Sequence, residues 1–214
     1  MSLQYIIQEP KVKKDKNPLL LLLHGYGSNE QDLFSFATEL PDDCYIISAR
    51  APYDLQYGSY AWYAINFEAD NTKFSDLKQA RESRDLIVKF IDELIAKYPI
   101  DETNISLIGF SQGAILSYAV GLSYPNKIGQ IVAMSGYLNT EIAIDNFEKN
   151  DFSTLKIFAS HGSVDQVIPV EWARKTPAIL EKLGIDCVYK EYPIGHGVSP
   201  QNFFDFKKWL VDTF

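Results

Sequence analysis

An α/β fold with a mostly parallel central sheet and helices on both faces is the class this chain predicts. Three observations point there. Short apolar runs alternate with helix-period segments along the chain, several of those runs are apolar at nearly every residue, and no repeat, linker or low-complexity stretch interrupts them. Such alternation is the signature of strand–helix–strand units. Unbroken apolar strands suit a sheet covered on both faces. Residues 1–214 are expected to form one domain, with no insertion large enough for a lid domain.

The elements follow in order. Strands are expected at Tyr5–Gln8 and at Leu19–Leu23, with Lys11-Val12-Lys13-Lys14 between them as a solvated turn. A helix near Asn29–Leu40 precedes a strand at Cys44–Ser48. Residues Ala51 to Phe67 break the rhythm, because Tyr53, Tyr57, Tyr60, Trp62, Tyr63 and Phe67 recur with no clear period. Long loops in compact domains tend to be functional, so Tyr60, Trp62 and Tyr63 are candidates for a substrate-pocket wall. The alternative is that these aromatics cover the sheet edge.

The clearest helix is Asp76–Tyr98, where Ala80, Ile87, Ile91, Leu94, Ile95 and Tyr98 fall at helical spacing and Pro99 stops it. A strand at Ile105–Gly109, a helix at Gln112–Ser123 and a strand at Gln130–Met134 follow, then a polar, irregular stretch from Gly136 to Asp151. Strands at Lys156–Ser160 and Asp186–Tyr192 flank a helix near Val170–Leu183. The last helix, Pro200–Thr213, has Ser199 as its N-cap and Pro200 at its first position.

A net charge of −8 and a pI near 4.9 argue against a nucleic-acid partner, which needs a basic face, and against anionic membrane surfaces. The longest aliphatic run, Leu19 to Leu23, is too short to span a bilayer, so no integral membrane association is expected. The start of the chain has neither a basic nor an apolar signal segment, and a cytoplasmic location is the expectation. Cys44 and Cys187 sit in separate strand-like runs and read as buried structural thiols.

Gly109-Phe110-Ser111-Gln112-Gly113 carries the most chemistry. Strand, Gly-x-Ser-x-Gly, helix is the setting in which a serine is held on a tight turn, with glycines removing the clash against the crossing helix. A serine hydroxyl is a poor nucleophile without a base and a carboxylate to orient that base. Of the three histidines, His24, His161 and His196, only His196 follows Ser111 with room for an acid between them. Asp165, in the loop after the strand ending at Ser160, has the right placement; Asp151 and Asp186 are its competitors. The negative oxygen of a tetrahedral intermediate needs preorganised N–H donors. Gln112 should supply one and Tyr26, in His24-Gly25-Tyr26-Gly27, the other, which leaves His24 as a loop-shaping residue. The same glycines fail as a dinucleotide fingerprint, because Glu30 stands where a third glycine is needed. With no phosphate-loop Gly-Lys-Ser/Thr and no zinc spacing of histidines, no cofactor or metal is expected.

Together, His-Gly-Tyr-Gly, Gly-Phe-Ser-Gln-Gly, His161-Gly-Ser-Val-Asp165 with Val167-Ile168-Pro169, and Gly-His196-Gly-x-Ser-Pro resemble the phospholipase/carboxylesterase family of α/β-hydrolases. That family includes small bacterial carboxylesterases and acyl-protein thioesterases. The resemblance runs from about Leu19 to Phe214 and implies Ser111, Asp165 and His196 as triad, with Tyr26 and Gln112 as oxyanion donors. The leading expectation is a cofactor-free serine hydrolase of short- to medium-chain carboxylic esters, and the resemblance admits a homodimer as well as a monomer. Thioester or lysophospholipid hydrolysis is the alternative, and a binding protein on a hydrolase fold is the rival outside enzymes. The chain departs from the thioesterase branch at Tyr26, Ser28, Ala64 and Ala114, where that branch more usually has leucine, aspartate, aspartate and glycine. Substrate preference therefore does not carry over with the reacting groups.

Overall fold

The computed structural model describes residues 1–67 and 73–213; the side chain of Phe67, grouped above with the pocket-wall aromatics, and Phe214 fall outside that description. The strands are β1 (Tyr5–Gln8), β2 (Asn17–Leu23), β3 (Tyr45–Ala49), β4 (Tyr53–Asp54), β5 (Tyr60–Ala61), β6 (Ile65–Phe67), β7 (Lys73–Ser75), β8 (Ile100–Phe110), β9 (Gln130–Met134), β10 (Lys156–Gly162) and β11 (Asp186–Tyr192). The helices are α1 (Gln31–Phe34), α2 (Leu77–Lys97), α3 (Gln112–Ser123), α4 (Val170–Ala173), α5 (Thr176–Lys182) and α6 (Pro200–Thr213).

Seven strands form the main sheet in the order β1-β3-β2-β8-β9-β10-β11, parallel throughout except for β1, which pairs antiparallel with β3. Side chains alternate across a strand, so the five leucines of β2 serve two cores. Leu19, Leu21 and Leu23 face α2 and α3, packing with Ile91, Leu94, Leu116 and Val120. Leu20 and Leu22 face the other layer, with Leu33 of α1 and Phe206 and Leu210 of α6. All five are fully buried, and each such burial contributes about 1.5–3 kcal/mol. The only register irregularity in the β2–β8 pairing lies between Asn17 and Leu19. Pro18 lies there and has no N–H to give the ladder.

The chain runs from β2 to β3 on one side of the sheet, while β8 pairs on the other side of β2. The strand order therefore reverses at β2–β8, and a crevice opens at the carboxyl ends of these two strands. Both the Gly25–Gly27 loop and Ser111 emerge there.

Two expected helices are each broken in two. The one near Asn29–Leu40 becomes α1 and a single 3-10 turn at Ala37–Glu39. Ser35 directs both its N–H and its hydroxyl to the carbonyl of Asp32, a short-range bond that tightens the chain out of the α-helical path. The one near Val170–Leu183 becomes α4 and α5, because Pro177 has no N–H to offer the carbonyl of Ala173. The aperiodic segment from Ala51 onward is two small antiparallel pairs, β4 with β5 and β6 with β7. Cys44 and Cys187 are both free thiols. Burial pushes each thiol up to about 12. Among the described residues, no helix is long and apolar enough to cross a membrane.

Candidate active site

Ser111 is the residue between β8 and α3, with φ 52° and ψ −116°. A left-handed φ costs a non-glycine residue about 1–3 kcal/mol and persists only where the surroundings over-determine it. Here the N–H of Ser111 donates to the carbonyl of Met134 (2.8 Å), and its own carbonyl accepts from Ile115 (3.1 Å). The two flanking glycines are required sterically. A Cβ on Gly113 would lie 2.0 Å from the carbonyl oxygen of Leu23, and one on Gly109 would lie 2.5 Å from that of Gly113. The turn therefore closes only with glycine at both positions, and it lifts the hydroxyl over the positive end of α3.

His196 follows β11, ahead of α6, whose first turn is capped by the Ser199 hydroxyl accepting from the N–H of Asn202 (3.1 Å). The imidazole Nε2 is 3.0 Å from Ser111 Oγ, and its Nδ1 is 2.7 Å from Asp165 Oδ2. Its ring also packs on Phe110, with centroids 4.9 Å apart. Asp165 Oδ1 accepts the N–H groups of Val167 (2.8 Å) and Ile168 (3.0 Å). Burial pushes the Asp165 carboxyl up, but the hydrogen bond from His196 and the backbone donors Ile168 and Val167 outweigh it and hold the carboxyl below its ordinary range. The competitors are elsewhere. Asp151 is exposed and receives the N–H of Ser153, and Asp186 pairs with Lys156 at the far, amino end of its strand.

Tyr26 and Gln112 both border the cavity in front of Ser111. Among the described residues, neither of their backbone N–H groups has an acceptor. The Gln112 side chain does something its sequence position does not announce. Its Oε1 accepts from the N–H of Trp62 and its Nε2 donates to the carbonyl of Tyr63, both at 2.8 Å, tying the aromatic segment to the serine turn. His24 is buried with both ring nitrogens engaged: Nδ1 donates to the Gly25 carbonyl (2.7 Å), and Nε2 accepts from Ala51 (3.1 Å). Burial lowers its proton affinity. It shapes the Gly25–Gly27 loop and has no nitrogen left to exchange a proton with Ser111.

The cavity measures about 250 Å³ and is mainly apolar, with Phe110, Ile115, Ile168 and Trp172 among its walls. Of the three aromatics expected to line a pocket, only Tyr63 does so. Trp62 is fully buried behind it, its indole N–H donating to the carbonyl of His24 (2.9 Å). Tyr60 lies under the Arg50 guanidinium, 4.6 Å from ring centroid to Cζ. Its backbone also pairs with the loop at Gly27 and Ser28. Both support the loop rather than the cavity. Ile115 and Trp172 escaped the sequence reading because nothing local marks them, and Ile168 was read there only as part of a motif; the three border one cavity from distant parts of the chain. Ser135 escaped it too, although a Ser-Gly pair at a strand end was a visible signal. With φ 52°, Ser135 donates its hydroxyl to the carbonyl of Gly197 (3.2 Å) and braces the loop that bears His196. Among the described residues, no group of three or more His, Cys, Asp or Glu side chains is placed to hold a metal ion.

The sequence model of the phospholipase/carboxylesterase family matches residues 4–213. Acyl-protein thioesterase 1 of Candida albicans is 31% identical over 210 residues, covering 89% of this chain and 90% of that protein. A "Probable carboxylesterase" of Oryza sativa subsp. japonica is 31% identical over 112 residues, 52% of this chain but only 42% of that relative's length. Among solved structures, esterase PE8 superposes with a TM-score of 0.85 at 26% identity, over 99% of both chains. The fold is that of the α/β-hydrolases, and the chain belongs to the phospholipase/carboxylesterase family.

Proposed function

We propose that the chain is a serine carboxylesterase in which Ser111, His196 and Asp165 act as the reacting triad. The observation that carries this reading is the continuous hydrogen-bonded path from Ser111 Oγ through His196 to Asp165, at 3.0 and 2.7 Å. Ser111 Oγ attacks the ester carbonyl as its proton passes to His196 Nε2. Asp165 keeps the Nδ1–H tautomer in place and stabilises the imidazolium that forms. The N–H groups of Gln112 and Tyr26 receive the oxyanion, and losing one such donor costs ~3 kcal/mol of transition-state stabilisation. His196 then returns the proton to the departing alcohol. In the second half, water gives a proton to His196 and adds to the acyl carbonyl, and Ser111 leaves with the proton restored.

The cavity of about 250 Å³ bounds the acyl group. Its small size and apolar walls support short to medium acyl chains. The likeness to an acyl-protein thioesterase favours a second reading, thioester or lysophospholipid hydrolysis, in which a longer chain would lie over the exposed rim formed by Tyr26, Val167 and Trp172.

Ser111→Ala is expected to lower turnover of p-nitrophenyl butyrate by ~10⁴-fold or more and to abolish the fluorophosphonate adduct seen by intact mass. Near-normal turnover in that variant would overturn the proposal. A ladder of oxo- and thioesters separates the two readings, with activity peaking at or below about eight carbons for the esterase and rising towards palmitoyl thioester for its alternative.

A further inference from the structure

His24 shapes a loop and His196 faces Ser111, which leaves one histidine without a part. We infer that His161 is a positioning residue that holds the Asp165 carboxylate in line with His196, an inference that rests on Asp165 being the acid of the proposed mechanism. His161 is the penultimate residue of β10, and its side chain and that of Asp165 are both wholly inaccessible. Its Nε2 lies 2.9 Å from the carbonyl oxygen of Ile168. A carbonyl can only accept, so Nε2 carries the hydrogen. The same nitrogen is 3.3 Å from Asp165 Oδ2, the oxygen that receives the Nδ1–H of His196 at 2.7 Å.

His161 thus acts on the carboxylate through the turn beside it. Backbone N–H groups of Val167 and Ile168 hold Oδ1, and the imidazole N–H of His161 donates to the Ile168 carbonyl, pinning the turn that carries those two donors beside the carboxylate. Without that pin, the Asp165–Ile168 turn is free to shift, and the carboxylate it holds moves off the His196 axis. The ring's other nitrogen, Nδ1, is buried and has no hydrogen-bond partner among the described residues. Burying an idle polar atom is costly, and an aliphatic side chain would fill the space without it. What the imidazole adds is therefore the single donor at Nε2. The next residue joins the same assembly. Gly162 approaches the His196 loop so closely that a Cβ there would lie 2.2 Å from the carbonyl oxygen of Gly195. One strand end thereby sets both the acid and the loop of the base.

The test compares His161→Leu, which fills the site without a donor, with His161→Gln, whose amide reaches the Nε2 position. For p-nitrophenyl butyrate, Leu is expected to lower kcat by ~10- to 100-fold, the scale of a small misplacement, with KM within about threefold of wild type. Gln is expected to restore kcat to within about fivefold of wild type. The low-field proton resonance of His196 Nδ1–H should shift or broaden in the Leu variant and return in Gln. If Leu fails to fold, His161→Asn takes its place, since its shorter amide reaches only the Nδ1 position. A donorless variant that turns over within about twofold of wild type, or Gln and Leu equally slow with the His196 resonance unchanged, overturns the inference. Wild-type protein that neither hydrolyses esters nor takes a fluorophosphonate would instead overturn the parent mechanism.

Discussion

The two ends of the sheet carry depressions of different character. At the amino end of β8–β10 lies a groove of about 750 Å³ with a mixed lining, where Asp92, Asp101, Glu102 and Lys127 stand beside Ile95 and Ile128. At the carboxyl end lies the mainly apolar cavity of about 250 Å³ in front of Ser111. The larger space has the richer supply of charged side chains, yet Lys127 is paired with Asp92 and Glu102 with Lys16. The smaller one gathers side chains from loops after β2, β8, β10 and β11. Size and charge are poor guides to chemistry in such a fold. A parallel sheet has a direction, and the reversal of strand order at β2–β8 opens a crevice only at its carboxyl end.

That contrast can be broken outright. His196→Ala is expected to lower kcat for p-nitrophenyl butyrate by ~10⁴-fold or more, whereas Glu102→Gln in the groove should leave kcat/KM within about twofold. Comparable losses at both ends would remove the distinction. A second experiment sharpens it by filling the smaller space. Ile115→Trp should lower kcat/KM for hexanoyl esters by about 10- to 100-fold and change acetyl esters by less than about threefold, read from a chain-length series.

Two glycines extend the comparison to stability. A Cβ on Gly113, at the carboxyl end, meets the Leu23 carbonyl oxygen at 2.0 Å, while at Gly129, at the amino end, the nearest atom is 4.0 Å away. Gly113→Ala should therefore cost about 3 kcal/mol or more in denaturant unfolding and Gly129→Ala less than about 1 kcal/mol. Equal midpoints would contradict the close approach at the serine turn.

The smallest effect concerns acid stability. Burial lowers the proton affinity of His24, so below the ordinary histidine value of about 6.5 the unfolded chain binds a proton that the folded chain refuses. Stability then falls as pH drops through that value towards the depressed folded-state one, and is unaffected by this group at higher pH. His24→Gln should flatten that slope in unfolding midpoints measured from pH 7.5 to pH 5. An unchanged slope would mean that the ring is not the group responsible.

Much of this architecture was readable from residue order. Every strand expected from apolar runs lies within two residues of a strand of the main sheet or inside it, because a run of leucines or isoleucines has few other stable fates. Helix interruptions were harder. The signal at Pro177 was present in the sequence, but Ser35 breaks its helix through a side-chain bond that depends on local geometry. The irregular aromatic stretch could not be divided into pocket and support, since Tyr63 and Trp62 differ by one residue and face different surroundings.

By itself the sequence determined the apolar periodicity, the turn that only glycines permit around Ser111, and the chain order of serine, aspartate and histidine. These are local or ordinal properties, written in steric size and hydrophobicity along a line. Only the tertiary structure decided that His196 lies 3.0 Å from Ser111, that Gln112 ties down Trp62 and Tyr63, and that His161 pins the Ile168 carbonyl beside Asp165. Distances between residues 85 positions apart are set by how helices seat on a twisted sheet. That depends on many weak contacts acting together, which no short motif encodes.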